Sequence, residues 1–203
     1  SATLYFAPGT YTVSNGTSAS VDLKAGQSLW GRSENYEDAA TSETRAVFAG
    51  QFNVESADNV SLNDLILTGV GTSETTGLNV LNSQGLTLNH VLITDYTATI
   101  SSESATGVKI DNSQGLAFKD VTVTNISAAD GTDGTAGADG ASHTDGTNGG
   151  NGAQGVIGSD GGYAIGIDVS NASTLTLNSV TVDTIAGGQG GAGGAGGAGG
   201  AAA

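Results

Sequence analysis

Few residues of this chain have the types and spacing that catalysis needs. Lys109 and Asp168 occupy outward positions of predicted strands, one repeat apart. Polysaccharide lyases and hydrolases need several carboxylates clustered beside Arg or Lys, to bind the sugar and move its protons. One Lys and one Asp without an Arg indicate a surface ion pair instead. His90 and His143 also lack a surrounding serine–aspartate pattern, so the sequence predicts no enzyme.

Three aspartates of a glycine-rich segment are weak candidates for a calcium site. Asp130, Asp133 and Asp139 offer the oxygen atoms that calcium prefers. The Gly-Gly-x-Gly-x-Asp repeat of calcium-binding β-rolls, with its apolar position, is absent from the chain. We therefore predict no metal and no cofactor, with bound calcium as the alternative, and assign the three carboxylates a solubilising role.

Composition excludes several classes of partner. The 203 residues include 34 Gly, one Pro, no Cys and no Met, and 20 acidic residues face only five basic ones, for a net charge of −15. Nucleic acids and anionic membranes attract clustered Lys and Arg, so neither is a predicted partner. No apolar run approaches the roughly 20 residues of a membrane-spanning helix. Acidity without Cys or Met is compatible with an extracellular or bacterial cell-surface location.

The elements that position these residues are set by an internal repeat. Four copies align without gaps, and each contains three short strands in which apolar residues alternate with others. Asn82, Asn112 and Asn171 recur between the first and second strands, where a residue that tolerates left-handed backbone suits a tight corner. The four copies are residues 52–67, 78–93, 108–123 and 167–182.

Three strands in each repeat predict an all-β fold, a right-handed parallel β-helix of about five or six coils. One outward row consists of Asn63, Asn89, Lys119 and Asn178. We interpret its asparagines as structural residues at corners and along the ladder rather than as ligands. Every difference in repeat length falls after the third strand, so all insertions leave at one corner. The predicted divisions are an N-terminal coil and cap at 1–50, the β-helix at 51–183, an inserted arm at 127–164 and a tail at 186–203.

The arm has glycine at every third position. Collagen shares this period, but the arm contains no proline, so we predict a polyproline-II strand with one glycine edge, one small edge and one polar edge. All the aspartates of the arm lie on the polar edge, whereas a disordered linker, the alternative, would scatter them. The glycines predicted to pack in the bundle are Gly131, Gly134, Gly137, Gly140, Gly146, Gly149, Gly152, Gly155 and Gly158.

The tail consists of Gly-Gly-x triplets and has two glycine edges. Two bare edges predict a central position between limbs 131–142 and 146–161, with Gly190, Gly193 and Gly196 as packing residues. On this basis we expect Gly137→Val to push neighbouring strands of the bundle apart. We expect Asp139→Ala to have almost no effect on the bundle. The turn between the limbs predicts a tip for partner binding, formed by Ser142, His143, Thr144 and Asp145.

The N-terminal region resembles a known class of bacterial surface proteins. Pro8-Gly9-Thr10-Tyr11, the stretch from Gly26 to Ser33 and the stretch from Arg45 to Gly50 are similar to passenger segments of inverse autotransporters, the intimin/invasin-like class. The resemblance covers roughly residues 1–70, and the glycine-rich parts depart from it. It implies a β-helical passenger at the cell surface with a role in adhesion.

These observations together predict a non-enzymatic extracellular structural or adhesin module. It would display the glycine-rich arm for attachment to a cell surface or host, with a receptor, a glycan or a neighbouring subunit as partner. The alternative is self-assembly, as a filament subunit that stacks end to end through its β-helix. Ice binding is a minor alternative, because the outward threonine rows are interrupted by Ile66, Leu92 and Ala117. Polysaccharide binding is a second minor alternative.

Overall fold

The computed structural model describes residues 1–12, 19–33, 45–144 and 148–201. These residues form two compact units. The first unit comprises Ser1–Ala98, Ser104–Ser127 and Ala164–Ala186, and the second comprises Thr99–Glu103, Ala128–Tyr163 and Gly187–Ala203. Within the described ranges, no helix has the length and apolar character needed to cross a membrane.

The regular elements of the described residues are all strands. Their bounds are β1 Ala2–Phe6, β2 Gly9–Thr12, β3 Ser20–Asp22, β4 Gln27–Gly31, β5 Ala46–Ala49, β6 Gln51–Glu55, β7 Ser61–Asn63, β8 Leu65–Thr68, β9 Thr76–Leu81, β10 Thr87–Asn89, β11 Leu92–Thr97, β12 Ala105–Asp111, β13 Gln114–Ser127, β14 Ala164–Ser170, β15 Ser173–Val182 and β16 Ile185–Ala186.

The strands of the first unit form two parallel sheets. The larger sheet has eleven strands, with the order β1-β4-β7-β10-β13-β11-β8-β5-β2 and with β15 and β16 also paired to β13. The smaller sheet has the order β14-β12-β9-β6-β3. Each strand pairs with strands one repeat away, so that equivalent residues such as Leu62, Leu88 and Phe118 lie side by side.

The predicted fold class, a right-handed parallel β-helix of five to six coils with three strands in each, is wrong as stated. The structure contains two sheets, and the strands predicted at 116–118 and 121–123 are one strand, β13. Their corner is a single residue, Asp120, whose φ of 51° bends the chain without interrupting the ladder. Ser179, with φ of 54°, does the same within β15, so the larger sheet is continuous and curls at this corner.

The asparagine corners are confirmed. Asn82, Asn112 and Asn171 have φ values of 51°, 45° and 47°, in the left-handed region that asparagine tolerates. Their side chains also connect neighbouring repeats, since Asn112 Nδ2 donates to Asn82 Oδ1 at 2.7 Å and Asn171 Nδ2 donates to Asp111 Oδ1 at 2.9 Å. These residues therefore both bend the chain and align adjacent strands.

The core lies between the two sheets and consists of the alternating apolar residues. In β13, Val121 and Val123 are fully buried and Thr122 between them is half-buried. Tyr96 is the largest fully buried side chain, and its hydroxyl donates to the Gly50 carbonyl oxygen at 2.6 Å. Burial raises the pKa of Tyr96, so this phenol stays protonated and keeps donating.

An aromatic cluster fills the N-terminal end of the core. Phe48 lies with its ring centre 4.9 Å from Phe6, 5.2 Å from Tyr11 and 5.2 Å from Phe52. Two of these three pairs meet edge to face, a favoured arrangement of aromatic rings. Of the predicted N-terminal coil and cap at 1–50, residues 13–18 and 34–44 lie outside the described residues.

Candidate functional site

The second unit is a bundle of three glycine-rich strands. We call residues 128–144 the outgoing limb, 148–163 the returning limb and 187–201 the tail. Backbone hydrogen bonds recur at every third residue: the outgoing limb donates to the tail, as in Gly131 N–H to Gln189 O at 2.7 Å. The tail donates to the returning limb, as in Gly194 N–H to Val156 O at 2.8 Å. This three-residue period is that of a polyproline-II helix.

The third side of the bundle joins the two limbs directly. Ala153 N–H donates to Ala138 O at 2.7 Å, and Ser159 N–H donates to Thr132 O at 2.9 Å. Five such bonds run in each of the three directions among the described residues, so every strand contacts both others. The prediction of a central tail that separates the limbs is therefore wrong, because the cross-section is a triangle.

Glycine rows fill the inside of this triangle. A methyl group on Gly137 would overlap the Ala153 carbonyl, one on Gly155 the Gly194 carbonyl, and one on Gly194 the Thr135 carbonyl, all within the 3.0 Å that Cβ atoms do not approach. None of the bundle glycines has a left-handed φ. Glycine is thus required here by the close approach of neighbouring backbones, not by its conformational freedom.

Only one of the two glycine rows in the tail packs inside. The packed row is Gly188, Gly191, Gly194, Gly197 and Gly200, each of which meets a carbonyl of the outgoing limb. The predicted packing role of Gly190, Gly193 and Gly196 is wrong, since a Cβ at these positions would meet no atom closer than 3.8 Å. Gly146 lies outside the described residues.

The aspartates of the outgoing limb bind the tail. The Oδ1 atoms of Asp130, Asp133 and Asp139 accept the N–H groups of Gln189, Ala192 and Ala198, each at 2.7 Å. These bonds satisfy tail amides on the side that faces the outgoing limb. The solubilising role assigned to these carboxylates is therefore incomplete, and the expectation that Asp139→Ala is nearly silent loses its basis. The described residues contain no group of three or more side chains placed to hold a metal ion.

The predicted tip is partly closed by the end of the tail. His143 N–H donates to Ala201 O at 3.2 Å, and Ser142 Oγ accepts the Ala201 N–H at 3.1 Å. Ser142, His143 and Thr144 are exposed, and Asp145 lies outside the described residues. The structure therefore brings two of the four predicted tip residues against the tail through hydrogen bonds.

Residues 99–103 belong to the bundle, which sequence analysis missed. Ser102 Oγ donates to the Asp160 carbonyl oxygen at 2.6 Å and lies 3.1 Å from Ser159 Oγ. Ser159 Oγ in turn accepts the Thr132 N–H at 2.7 Å. The only signal in the sequence was the Ser/Thr-rich composition of the second insertion. These hydroxyl groups therefore connect the start of the outgoing limb with the end of the returning limb through hydrogen bonds.

Ionisable groups of the first unit meet at one corner. His90 Nδ1 lies 3.3 Å from Asp64 Oδ1, its Nε2 lies 4.0 Å from Asp120 Oδ2, and its carbonyl oxygen accepts a bond from Arg45 Nη1 at 3.0 Å. Burial lowers the pKa of the Arg45 guanidinium, and the nearby Asp64 carboxylate opposes this shift. His90 thus belongs to a polar cluster, although no sequence motif surrounds it.

Lys109 and Asp168, which the sequence predicts to form a surface ion pair, are neighbours without ion-pair contact. The two residues are register partners on β12 and β14. In the described part of the chain, however, no ion pair within 4.0 Å joins them. This arrangement places one cation and one anion on an open sheet surface, without the carboxylate cluster that sugar cleavage needs.

Comparison with known proteins identifies no relative. No protein-family model, no curated protein and no solved structure matches the chain. The resemblance of residues 1–70 to inverse autotransporter passengers therefore stays a prediction.

Proposed function

We propose that this protein is a non-enzymatic extracellular adhesin module, which attaches to a cell surface or host through its glycine-rich bundle. The observation that carries this proposal is the bundle's backbone-only interior. Because three glycine rows and carbonyl groups fill the centre, the side chains of the other positions are left for contacts with a partner. An ordered surface of this kind loses little further entropy when it binds.

Exposed apolar side chains on the returning limb support attachment to a partner. Ile157 is 86% exposed, Val156 is 58% exposed and Tyr163 is 75% exposed. Val156 and Ile157 are adjacent in the chain, and exposed apolar groups that lie together are a common feature of interaction surfaces. Aromatic and aliphatic side chains of this type form the buried centre of protein interfaces. The bundle therefore offers apolar anchors together with a polar surround of Asn, Gln, Ser and Asp.

The proposed location is the outside of a cell, most specifically a bacterial surface. Support comes from the net charge of −15, the lack of cysteine and methionine, and the resemblance to inverse autotransporter passengers. An extracellular receptor or glycan is the partner that this location implies. Acidic surfaces keep such proteins soluble and monomeric when they are displayed at high density.

A binding screen with matched variants tests the proposal. The full chain is applied to arrays of extracellular-matrix proteins and cell-surface glycans, beside Ile157→Asp in the bundle and Val70→Asp in the first unit. Val70 is 63% exposed, so it is a control for adding a charge at an exposed apolar site. We expect a bound target that Ile157→Asp releases and Val70→Asp retains. Equal binding by all three proteins, or no bound target, would contradict attachment through the bundle.

Exposed strand edges favour a second candidate function, a subunit of an extracellular filament. Among the described strands, β14 pairs only with β12, and β15 pairs only with β13. Val169, Leu177 and Val182 on these strands are 44%, 52% and 47% exposed. An open edge beside apolar side chains is a template for pairing with another chain.

Two measurements separate the candidates. Light scattering that reports a monomer at every concentration supports the adhesin module, whereas fibres in negative-stain electron microscopy support the filament. Leu177→Lys on the edge strand should abolish fibres if stacking uses this edge. Fibres that persist in this variant would assign the assembly to another surface.

A further inference from the structure

The larger sheet carries one row of polar and aromatic side chains, in which Asn63 is buried and the other members are exposed or half-buried. Strand registers place these residues side by side across β1, β4, β7, β10, β13 and β15. With neighbouring strands about 4.8 Å apart, the row extends over roughly 24 Å. Its members are Tyr5, Trp30, Asn63, Asn89, Lys119 and Asn178.

Aromatic rings form one end of this row. Tyr5 is 51% exposed and Trp30 beside it is half-buried. The Arg32 guanidinium carbon lies 5.1 Å from the Tyr5 ring centre and 5.2 Å from that of Trp30. Cation–π attraction at these distances stabilises this arrangement of the two rings. The result is a fixed aromatic platform at the end of a row of amides.

A second row, two residues earlier in each strand, carries hydroxyl groups. It includes Thr3, Ser28, Ser61, Thr87 and Thr176, with Ala117 at the remaining position. Ser61 Oγ donates to Ser28 Oγ at 2.8 Å, and Asn63 Nδ2 donates to Ser61 Oγ at 3.4 Å. The face thus combines an aromatic platform with donors and acceptors at regular spacing.

Sugar chains match this combination of groups. A pyranose ring has an apolar face that packs on an aromatic ring, and a rim of hydroxyls that both donate and accept hydrogen bonds. Amide and hydroxyl side chains also donate and accept. We propose that this face binds an uncharged polysaccharide, which lies across the strands with one sugar ring on Tyr5 and Trp30.

Charge argues for an uncharged ligand. The net charge of −15 repels polyanions. Lys119 in the row is 4.0 Å from Asp120, so its charge is partly balanced within the protein. The Arg32 charge at the end of this face lies over the two aromatic rings. The row of the smaller sheet differs in the decisive feature: Asn79 and Lys109 are register partners there, without an aromatic platform. Residues of the smaller sheet can therefore serve as controls for substitutions in the proposed binding face.

The single tryptophan makes binding directly measurable. Because Trp30 is the only tryptophan of the chain, its fluorescence reports on this face alone. The protein is titrated with dextran, β-mannan and hydroxyethyl cellulose, and with a polyuronate as the charged comparison. We expect a saturable change with at least one neutral chain. Tyr5→Ala and Asn89→Ala should each weaken binding about tenfold, as expected for loss of one packing or hydrogen-bond contact, whereas Asn79→Ala should leave it unchanged.

Three results would overturn the proposal. They are no response to any neutral chain, a response to the polyuronate alone, and equal weakening by Asn79→Ala and Asn89→Ala. If Tyr5→Ala does not fold, the comparison of Asn89→Ala with Asn79→Ala still decides. The full chain that carries Ile157→Asp in the bundle should retain the fluorescence response. This last measurement distinguishes the glycan-binding face from attachment through the bundle.

Discussion

Adjacent glycines of the tail provide a stringent test of the bundle. Gly193 and Gly194 are neighbours in one triplet, yet their surroundings are opposite. A methyl group on Gly194 would overlap the Thr135 carbonyl, whereas one on Gly193 would meet no atom within 4 Å. The matched variants Gly194→Ala and Gly193→Ala therefore make the same chemical change at an interior and an exterior position.

The expected magnitude follows from the hydrogen bonds around Gly194. Moving the tail outward lengthens the Gly194 N–H bond to Val156 O at 2.8 Å and the bonds that Ala192 O and Ala195 O accept at 2.7 and 2.8 Å. At about 1 kcal/mol for each bond, the cost is about 3 kcal/mol within the bundle. Gly193 has no left-handed φ, so Gly193→Ala should be neutral or stabilise by up to about 1 kcal/mol, through the lower entropy of the unfolded chain.

Amide hydrogen exchange measures this difference residue by residue. A loss of about 3 kcal/mol corresponds to exchange roughly a hundredfold faster for the amides that donate these bonds, which belong to the tail and the outgoing limb. We expect that acceleration in Gly194→Ala and parent-like protection in Gly193→Ala, with unchanged exchange in the strands of the first unit. Equal effects of the two variants would refute the assignment of one inner and one outer glycine row. Unprotected bundle amides in the parent protein would refute the bundle itself.

The remaining predictions concern a carboxylate, the core and the tail. Asp139→Ala should accelerate exchange of the Ala198 amide about tenfold or more, because a charge-assisted bond at 2.7 Å is lost, while Asp139→Asn should retain most of the protection. Val123→Asp should lower the free energy of unfolding of the first unit by several kcal/mol, because it buries an unpaired carboxylate. Thr122→Asp should change this free energy little, and calorimetry of the two variants measures the difference. Truncation after Ala186 should make both limbs sensitive to protease, because only the limb-to-limb bonds remain, and should leave the first unit's unfolding transition intact.

The first unit shows how far a repeat can be interpreted without a structure. Alternating apolar residues and the asparagine corners were sufficient to locate strands and one set of turns. Sheet continuity was not predictable, because Asp120 is of a residue type that usually marks a turn between strands, yet within β13 it bends one strand without ending it. A single left-handed residue of any polar type can turn a strand while its neighbours keep their ladder bonds. The number of sheets therefore depends on corner geometry that residue types do not encode.

The bundle shows a different limit. Both glycine rows of the tail are identical in sequence, and only the closure of three strands into a triangle decides which row faces inward. The same closure places Asp133 beside the Ala192 amide, so a residue on a polar edge became a hydrogen-bond acceptor for a neighbouring strand. The three-residue period indicates which side chains share an edge, but it does not indicate what that edge contacts.

The proposed glycan-binding face was hidden for a third reason. Asn63, Asn89, Lys119 and Asn178 align by the repeat alone, and without an aromatic partner they are interpreted as structural asparagines. Trp30 precedes the first repeat copy, and its register with Asn63 follows only from the pairing of β4 with β7. Trp30 therefore joins the row only through the pairing of a strand from the less regular N-terminal region with a strand of the first repeat, and the sequence does not show that pairing.

The interiors of the two units are filled in opposite ways, and this difference bears on the functions proposed for them. In the first unit, apolar side chains point inward, so its outward residues are confined to alternate positions of paired strands. In the bundle, backbone groups alone fill the interior, and both non-glycine positions of most triplets remain outside. Substitution of these outer side chains costs no core packing, except where a carboxylate such as Asp139 serves a tail amide. The outer surface of the bundle, through which we propose attachment, can therefore change with little loss of stability, whereas the fixed spacing of the sheet suits the regular polymer proposed for it.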